Sequence, residues 1–188
     1  MPEAVVVATA RSPIGRAFKG SLTSIRSDDL TIQMITAALA KVPQLDPAEI
    51  QDLILGCGLP GGEQGYNLAR VIAVMLGHDH LPGTTVTRYC SSSLQTTRMA
   101  FHAIKAGEGD AFISAGVECV SRFSQGSSDS WPDTKNPVFD EAEERSGKLG
   151  AGGVGVWHDP REDSQIPDVF IAMGQTRSEE HTSELQSP

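Results

Sequence analysis

Thr84–Gly107 reads T-T-V-T-R-Y-C-S-S-S-L-Q-T-T-R-M-A-F-H-A-I-K-A-G, and its reading decides the fold. The β-branched run Thr84–Thr87 predicts a strand. Leu94, Thr97, Phe101 and Ile104 then recur at helical spacing and share one helix face. Gly107 stands where a helix C′ residue belongs. Cys90 therefore falls at a strand-to-helix turn, at the helix N-terminus. Unpaired backbone N–H groups and the positive end of the helix dipole favour a thiolate there. That makes Cys90 a candidate nucleophile. A lone cysteine is more often a small buried hydrophobe, so it is the position that carries the reading, not the residue type.

Outward from this stretch, strands and helices alternate. Ala4–Ala10 is a short apolar, β-branched run that predicts a buried strand. After it, Arg11–Arg16 reads as a polar turn. Ser27, Asp28 or Asp29 would cap a helix whose apolar face is Leu30, Met34, Ile35, Ala38 and Leu39, ended by Val42-Pro43. Asp46-Pro47-Ala48-Glu49 combines an N-cap acid, Pro at N1 and Glu at N3, and predicts a very short helix. Asp52–Gly56 is the next buried strand, followed by a long glycine-rich connection, Gly56–Gly65, expected to be flexible. Asn67 would cap a helix over Leu68–Leu76, with Leu68, Val71, Ile72 and Met75 inward and Gly77 as its stop. Asp110–Gly116 is a further strand. This alternation argues for βαβ units and a mostly parallel sheet. Ligand sites in such sheets form outside the carboxyl ends of the strands, where Cys90 sits.

Beyond Ser121 the texture changes. Ser124–Gly153 is rich in Ser, Gly, Asp, Glu and Pro without clear periodicity, and reads as an excursion, either a lid or an extended loop layer. Gly150–Gly155 formally matches G-x-G-x-x-G. No strand precedes it and Trp157-His158-Asp159-Pro160 opens no long helix, so dinucleotide binding is rejected. Asp168–Thr176 would begin another helix. The tail Arg177–Pro188, R-S-E-E-H-T-S-E-L-Q-S-P, shares no pattern with what precedes it. It resembles an in-frame translation of sequencing-adapter read-through and is set apart from the fold. The expected division is 1–122 for an α/β core, 123–176 for the start of the excursion and 177–188 for a non-native tail.

Composition excludes several classes. The 188 residues carry a net charge of −9 with no basic stripe, which argues against nucleic acid and anionic membrane as partners. No apolar stretch is long enough to span a membrane, and the N-terminus does not read as a signal peptide. Cys57, Cys90 and Cys119 are far apart with no C-x-x-C, so neither a zinc site nor a disulfide framework is expected, and a reducing, cytoplasmic setting fits. His78 and His80 flank Asp79, but no further ligand sits at a useful spacing, so no metal is expected.

Several segments together resemble the N-terminal half of a thiolase, an acyl-CoA acetyltransferase. They are Arg11-Ser12-Pro13-Ile14-Gly15 with Phe18–Leu22; Gly56-Cys57-Gly58 through Gly65–Arg70; Arg88-Tyr89-Cys90-Ser91-Ser92 at the nucleophile; Ala115–Ser121; and Ala172–Thr176. The likeness runs in order over residues 4–176. Thr87 stands where many thiolases have Asn, and Ser93 where many have Gly. The resemblance implies an incomplete N-terminal half of a two-half αβαβα layered α/β fold. It also implies that Cys90 attacks an acyl-CoA thioester or a 3-ketoacyl-CoA, giving an acyl-enzyme whose acyl group passes to coenzyme A or to an acetyl-CoA carbanion. Coenzyme A and acyl-CoA would be substrates, with no bound cofactor and no metal. Met173 would lie near the acyl-CoA pocket. The full-length parent would be a homodimer or homotetramer.

In this family a His and a second Cys from the other half act as base and acid. None of His78, His80, His102 and His158 matches that His motif, and neither Cys57 nor Cys119 matches that Cys, so this chain is expected to be inactive alone. The helix after Cys90 would also lose its covering half, leaving Leu94 and Phe101 exposed. Cys90-Ser91-Ser92-Ser93-Leu94 equally resembles a ketoacyl synthase nucleophile, which makes a condensing-enzyme fragment the alternative. A non-catalytic α/β interaction module is the third reading.

Overall fold

The computed structural model describes residues 3–123, 134–149, 158–171 and 173. The chain divides into two units, Met1–Ser130 and Trp131–Pro188. In the first, the strands are β1 (Asp52–Gly56), β2 (Gly83–Val86) and β3 (Phe112–Gly116). They form a parallel sheet in the order β2-β1-β3. The helices are α1 (Ser27–Leu39), α2 (Leu68–Met75), α3 (Ser92–Ala106) and the single turn α4 (Val120–Phe123). α2 connects β1 to β2 and α3 connects β2 to β3, the βαβ pattern that parallel neighbours require.

The central strand is apolar over Leu53–Leu55 because both its faces are covered. Leu53 and Leu55 join Leu68, Ala69, Ile72 and Ala73 of α2 and Ile35 of α1 in one core, closed by Ile50 and Leu81. Gly56, on the alternate face, lies against the start of α3. Helices α1 and α2 thus cover one side of the sheet and α3 the other.

Local signals account for most boundaries. Asp46 accepts from the Ala48 N–H at 2.9 Å and starts a 3₁₀ turn at Pro47–Glu49, the short helix expected there. Gly77 and Gly107 both take left-handed φ of +79° and stop α2 and α3.

Other expectations are corrected. Ala4–Ala10 forms no strand. No described strand pairs with it, and Val5, Val6 and Val7 are exposed. β-Branched residues favour an extended backbone, but a strand also needs a ladder partner, and neither edge of the described sheet, β2 or β3, pairs with this run. No side chain caps α1. Asp28 instead takes the Arg26 guanidinium at 2.8 Å and the Asp29 N–H at 3.0 Å. Burial alone would raise the Asp28 carboxyl, but these donors outweigh it and hold it below its ordinary value. Asn67 precedes α2 without capping it. Its side chain spans to β2, donating to the Gly83 carbonyl at 2.7 Å and accepting from the Thr85 hydroxyl at 3.0 Å, while Thr85 Oγ1 accepts from the Ala69 N–H at 2.9 Å. The buried face of α2 is Leu68, Ala69, Ile72 and Ala73. Val71 and Met75 are exposed. Two alanines let the helix lie close to the sheet, which turns the larger side chains away.

In the second unit, α5 (Asp140–Leu149) occupies part of the stretch read as aperiodic. Charge supports it, not an apolar stripe. A 3₁₀ turn over Pro137–Phe139, capped by Asn136 accepting from the Val138 N–H at 3.0 Å, leads into it, acids fill its first turn, and Lys148 meets Glu144 one turn back at 2.7 Å. Phe139 and Phe170 meet edge to face with centroids 5.5 Å apart. Residues 168–171 are not helical. Met173 is helical, and the remainder of that expected helix, the Gly150–Gly155 run and the tail 177–188 lie outside the described residues.

Candidate active site

The three strands end level with one another. Gly56 is the register partner of both Val86 and Gly116, so the carboxyl ends of β1, β2 and β3 lie in a row. From Val86 the chain reaches Cys90 in one short connection. Tyr89–Ser91 make a single 3₁₀ turn and α3 begins at Ser92. The strand–turn–helix placement expected for Cys90 is therefore the observed one. Its thiol is free and exposed.

Tyr89, directly before Cys90, has φ of +46°. For a residue with a large side chain this left-handed value costs about 1–2 kcal/mol, so its surroundings must hold it. Ser92 Oγ accepts from the Arg88 N–H at 2.8 Å and donates to the Tyr89 carbonyl at 2.7 Å. The Arg88 guanidinium reaches Gln95 Oε1 at 2.7 Å. Next to the turn, the Thr87 hydroxyl donates to the Gly58 carbonyl at 2.9 Å, and the Gly58 N–H donates to Glu118 at 2.6 Å. Gln64, itself buried, donates to the Leu59 carbonyl at 3.1 Å and to Glu118 at 3.4 Å, and accepts from the Cys119 N–H at 2.7 Å. The Gly56–Gly65 connection, expected to be flexible, is thus pinned to the segment that follows β3.

Helix α3 sits on the strand ends by backbone contact. A Cβ at Gly56 would lie 2.6 Å from the Ser92 carbonyl carbon and 2.7 Å from Ser93 N. A Cβ at Gly116 would overlap Ser93 Oγ. Further along, Thr96, fully buried, bonds Ser114 Oγ at 2.8 Å, and Thr97 reaches the same hydroxyl at 3.1 Å. The outward side of α3 carries Leu94 and Phe101, 71% and 46% exposed, the exposure expected for a helix without its covering layer.

The other cysteines have different environments. Cys57 is buried with Sγ 3.8 Å from Glu118 Oε1. Burial first, and the carboxylate second, push its thiol up to about 11. Cys119 is half-buried. Within the first unit, His78, His80 and His102 are not gathered at Cys90. His78 and His80 face one another in the loop that precedes β2, with ring centroids 5.8 Å apart, at the opposite end of that strand from Cys90. His102 is on α3, edge-on to Phe101, about 18 Å along the axis from Cys90 at ~1.5 Å per residue. His158 belongs to the second unit, beside Asp163 at 3.0 Å. Met173, also in that unit, is exposed. Among the described residues no group of three or more His, Cys, Asp or Glu could hold a metal, and no helix is long and apolar enough to cross a membrane. A surface hollow of about 310 Å³ lies between Pro60, Gln64, Tyr66, Asn67, Thr85 and Thr87, and Cys90 does not line it.

Sequence reasoning placed Cys90 but missed what holds it. The left-handed Tyr89, the Ser92 bridge and the Glu118–Gly58 link carry no local sequence signal. The close approach of α3 did carry one. Gly56 and Gly116 end two strands, and the helix opens with Ser92-Ser93, so small residues stand on every segment that meets there.

Residues 4–145 match the family model described as thiolase, N-terminal domain. A 3-ketoacyl-CoA thiolase of Saccharophagus degradans is 44% identical over 117 residues, covering 62% of this chain and 30% of the relative. A 3-ketoacyl-CoA thiolase of Bacillus subtilis is 42% identical over 65% of this chain and 31% of its own length. An Escherichia coli 3-oxoadipyl-CoA/3-oxo-5,6-dehydrosuberyl-CoA thiolase is 42% identical over 65% of the chain. The crystal structure of Bacillus anthracis acetyl-CoA acetyltransferase is similar with a TM-score of 0.59 and 31% identity, over 64% of this chain and 30% of that one. The chain thus spans about 30% of the length of the relatives it matches.

Proposed function

We infer the role of Cys90 from family and geometry together: the chain belongs to the thiolase family, and Cys90 is the acyl-accepting nucleophile of an acyl-CoA acyltransferase. The observation that carries this reading is the exposed thiol on a held turn outside the carboxyl ends of three parallel strands. The Cys90 sulfur attacks the carbonyl carbon of an acyl-CoA thioester, or the ketone of a 3-ketoacyl-CoA. Collapse of the adduct expels coenzyme A from the thioester, or the acetyl-CoA carbanion, which takes up a proton, from the ketoacyl substrate. Either way a thioester remains on Cys90. The acyl group then passes to a coenzyme A thiol, or to an acetyl-CoA carbanion in the synthetic direction. The Cys90 backbone N–H, at the opening of α3, is the donor for the developing oxyanion in this reading.

A base to take the thiol proton and an acid to protonate the departing carbanion belong to this scheme, and His78, His80 and His102 do not supply them from their positions. Removal of such groups costs roughly 10²–10⁴ in rate each. The chain therefore acylates slowly, once per molecule, and does not turn over. Met173 as an acyl-CoA contact, a cytoplasmic location and a homo-oligomeric full-length protein go with the same reading. Intact-mass measurement after incubation with acetyl-CoA tests it. One acetyl group on the chain and none on Cys90→Ser supports it; equal labelling of both overturns it.

A further inference from the structure

We propose that Ser92 is a positioning residue for Cys90: its hydroxyl ties the Arg88 N–H to the carbonyl of the strained Tyr89 and so fixes the direction in which the Cys90 thiol and N–H point. The inference rests on the reading of Cys90 as the acyl acceptor.

Ser92 is almost fully buried, 4% exposed, and its hydroxyl uses both its accepting and its donating capacity on backbone, at 2.8 Å to the Arg88 N–H and 2.7 Å to the Tyr89 carbonyl. These two groups belong to the residues on the β2 side of Cys90, whereas Ser92 belongs to α3. One side chain therefore ties the incoming strand to the outgoing helix across the nucleophile. Tyr89 with φ of +46° has no intrinsic reason to stay there. Without the bridge, the Arg88 N–H would lose this partner and the Tyr89 carbonyl would keep only the Ser92 backbone N–H, and the turn would relax. Ser92 itself cannot move to follow, because its carbonyl carbon and Ser93 N lie against Gly56. The arrangement fixes orientation, not exposure, since the Cys90 thiol already faces solvent.

Acylation and alkylation separate the two. Attack on a thioester requires the Cys90 sulfur and the oxyanion donor to meet one carbonyl. The new S–C bond forms, the thioester C–S bond breaks, and the probe's thiol leaves with the proton that Cys90 gave up. Alkylation by iodoacetamide requires only an accessible sulfur and releases iodide. With the 188-residue chain, S-acetyl-N-acetylcysteamine and iodoacetamide are the two probes, and the modified cysteine is located by peptide mapping. Ser92→Ala is expected to slow Cys90 acetylation about 3- to 10-fold, the equivalent of one net hydrogen bond, while alkylation changes less than twofold. Ser92→Thr, which keeps the hydroxyl, restores acetylation towards the parent rate. If Ser92→Ala acetylates at the parent rate while the parent prefers Cys90 to Cys119, the positioning role is wrong. If both rates shift together with loss of a cooperative melt, Ser92 is merely structural and the proposal also fails. If the parent chain shows no preference for Cys90 over Cys119, the reading of Cys90 fails, and the proposal falls with it.

Discussion

Helices α2 and α3 are the two crossovers of one sheet, and they pack by opposite rules. α2 buries Leu68, Ala69, Ile72 and Ala73 against Leu53 and Leu55. α3 buries only Ser92 and Thr96, holds the sheet through hydroxyls and two glycines, and turns Leu94 and Phe101 outward. The first arrangement removes apolar area from water and supplies stability. The second contributes little of that kind but fixes the N-terminal end of α3 within contact distance of the strand ends. Stability and placement are thus assigned to different faces of the same sheet.

Substitutions on the two helices should break this symmetry in the largest measurable way. Ile72→Ala is expected to lower unfolding free energy by about 2–5 kcal/mol. Leu94→Ala, at an exposed position, should stay within about 0.5 kcal/mol. Urea denaturation reads both, and equal losses would mean that α3 shares the core. Gly56→Ala sharpens the comparison from the strand side. Its methyl would meet backbone, not a flexible side chain, so a loss of about 1–3 kcal/mol is expected, together with slower acylation of Cys90. Unchanged acylation would separate the glycine contact from the site.

A further comparison concerns pH. The Cys57 thiol is raised in the folded chain to about 11 from an ordinary value of 9.0. A group raised on folding contributes stability that is complete below its unfolded value and lost as pH rises through the folded one. Stability should therefore decline between pH 9 and about 11, and Cys57→Ala should flatten that decline whatever it does to stability at neutral pH. A decline of unchanged slope in the variant would assign it to other groups.

How much of this was legible follows from where the information sits. The strands over Asp52–Gly56, Thr84–Thr87 and Asp110–Gly116 were readable because short apolar or β-branched runs lay between clear breakers, and the structure places β1, β2 and β3 there to within two residues. The position of Cys90 followed from them. The role of Ala4–Ala10 was not readable, because propensity names a backbone shape and not a partner. The inner face of α2 was misjudged because Ala69 and Ala73 add little to a hydrophobicity pattern yet permit the closest approach. α5 was missed because charge pairing replaced an apolar stripe. The left-handed Tyr89 and its bridge to Ser92 depend on residues meeting across a turn, which no periodicity records.

The most direct measurement compares Cys90 with itself. Its acetylation rate by acetyl-CoA, located by peptide mapping, is measured in the folded chain and in denaturing urea, with iodoacetamide alkylation as the reference for simple access. A built site predicts that folding raises the acetylation-to-alkylation ratio at Cys90 at least ~10-fold, about 1.4 kcal/mol of transition-state stabilisation, and leaves the ratio at Cys119 unchanged. A Cys90 ratio that is the same folded and unfolded would contradict it, and would leave Cys90 an exposed thiol on a turn.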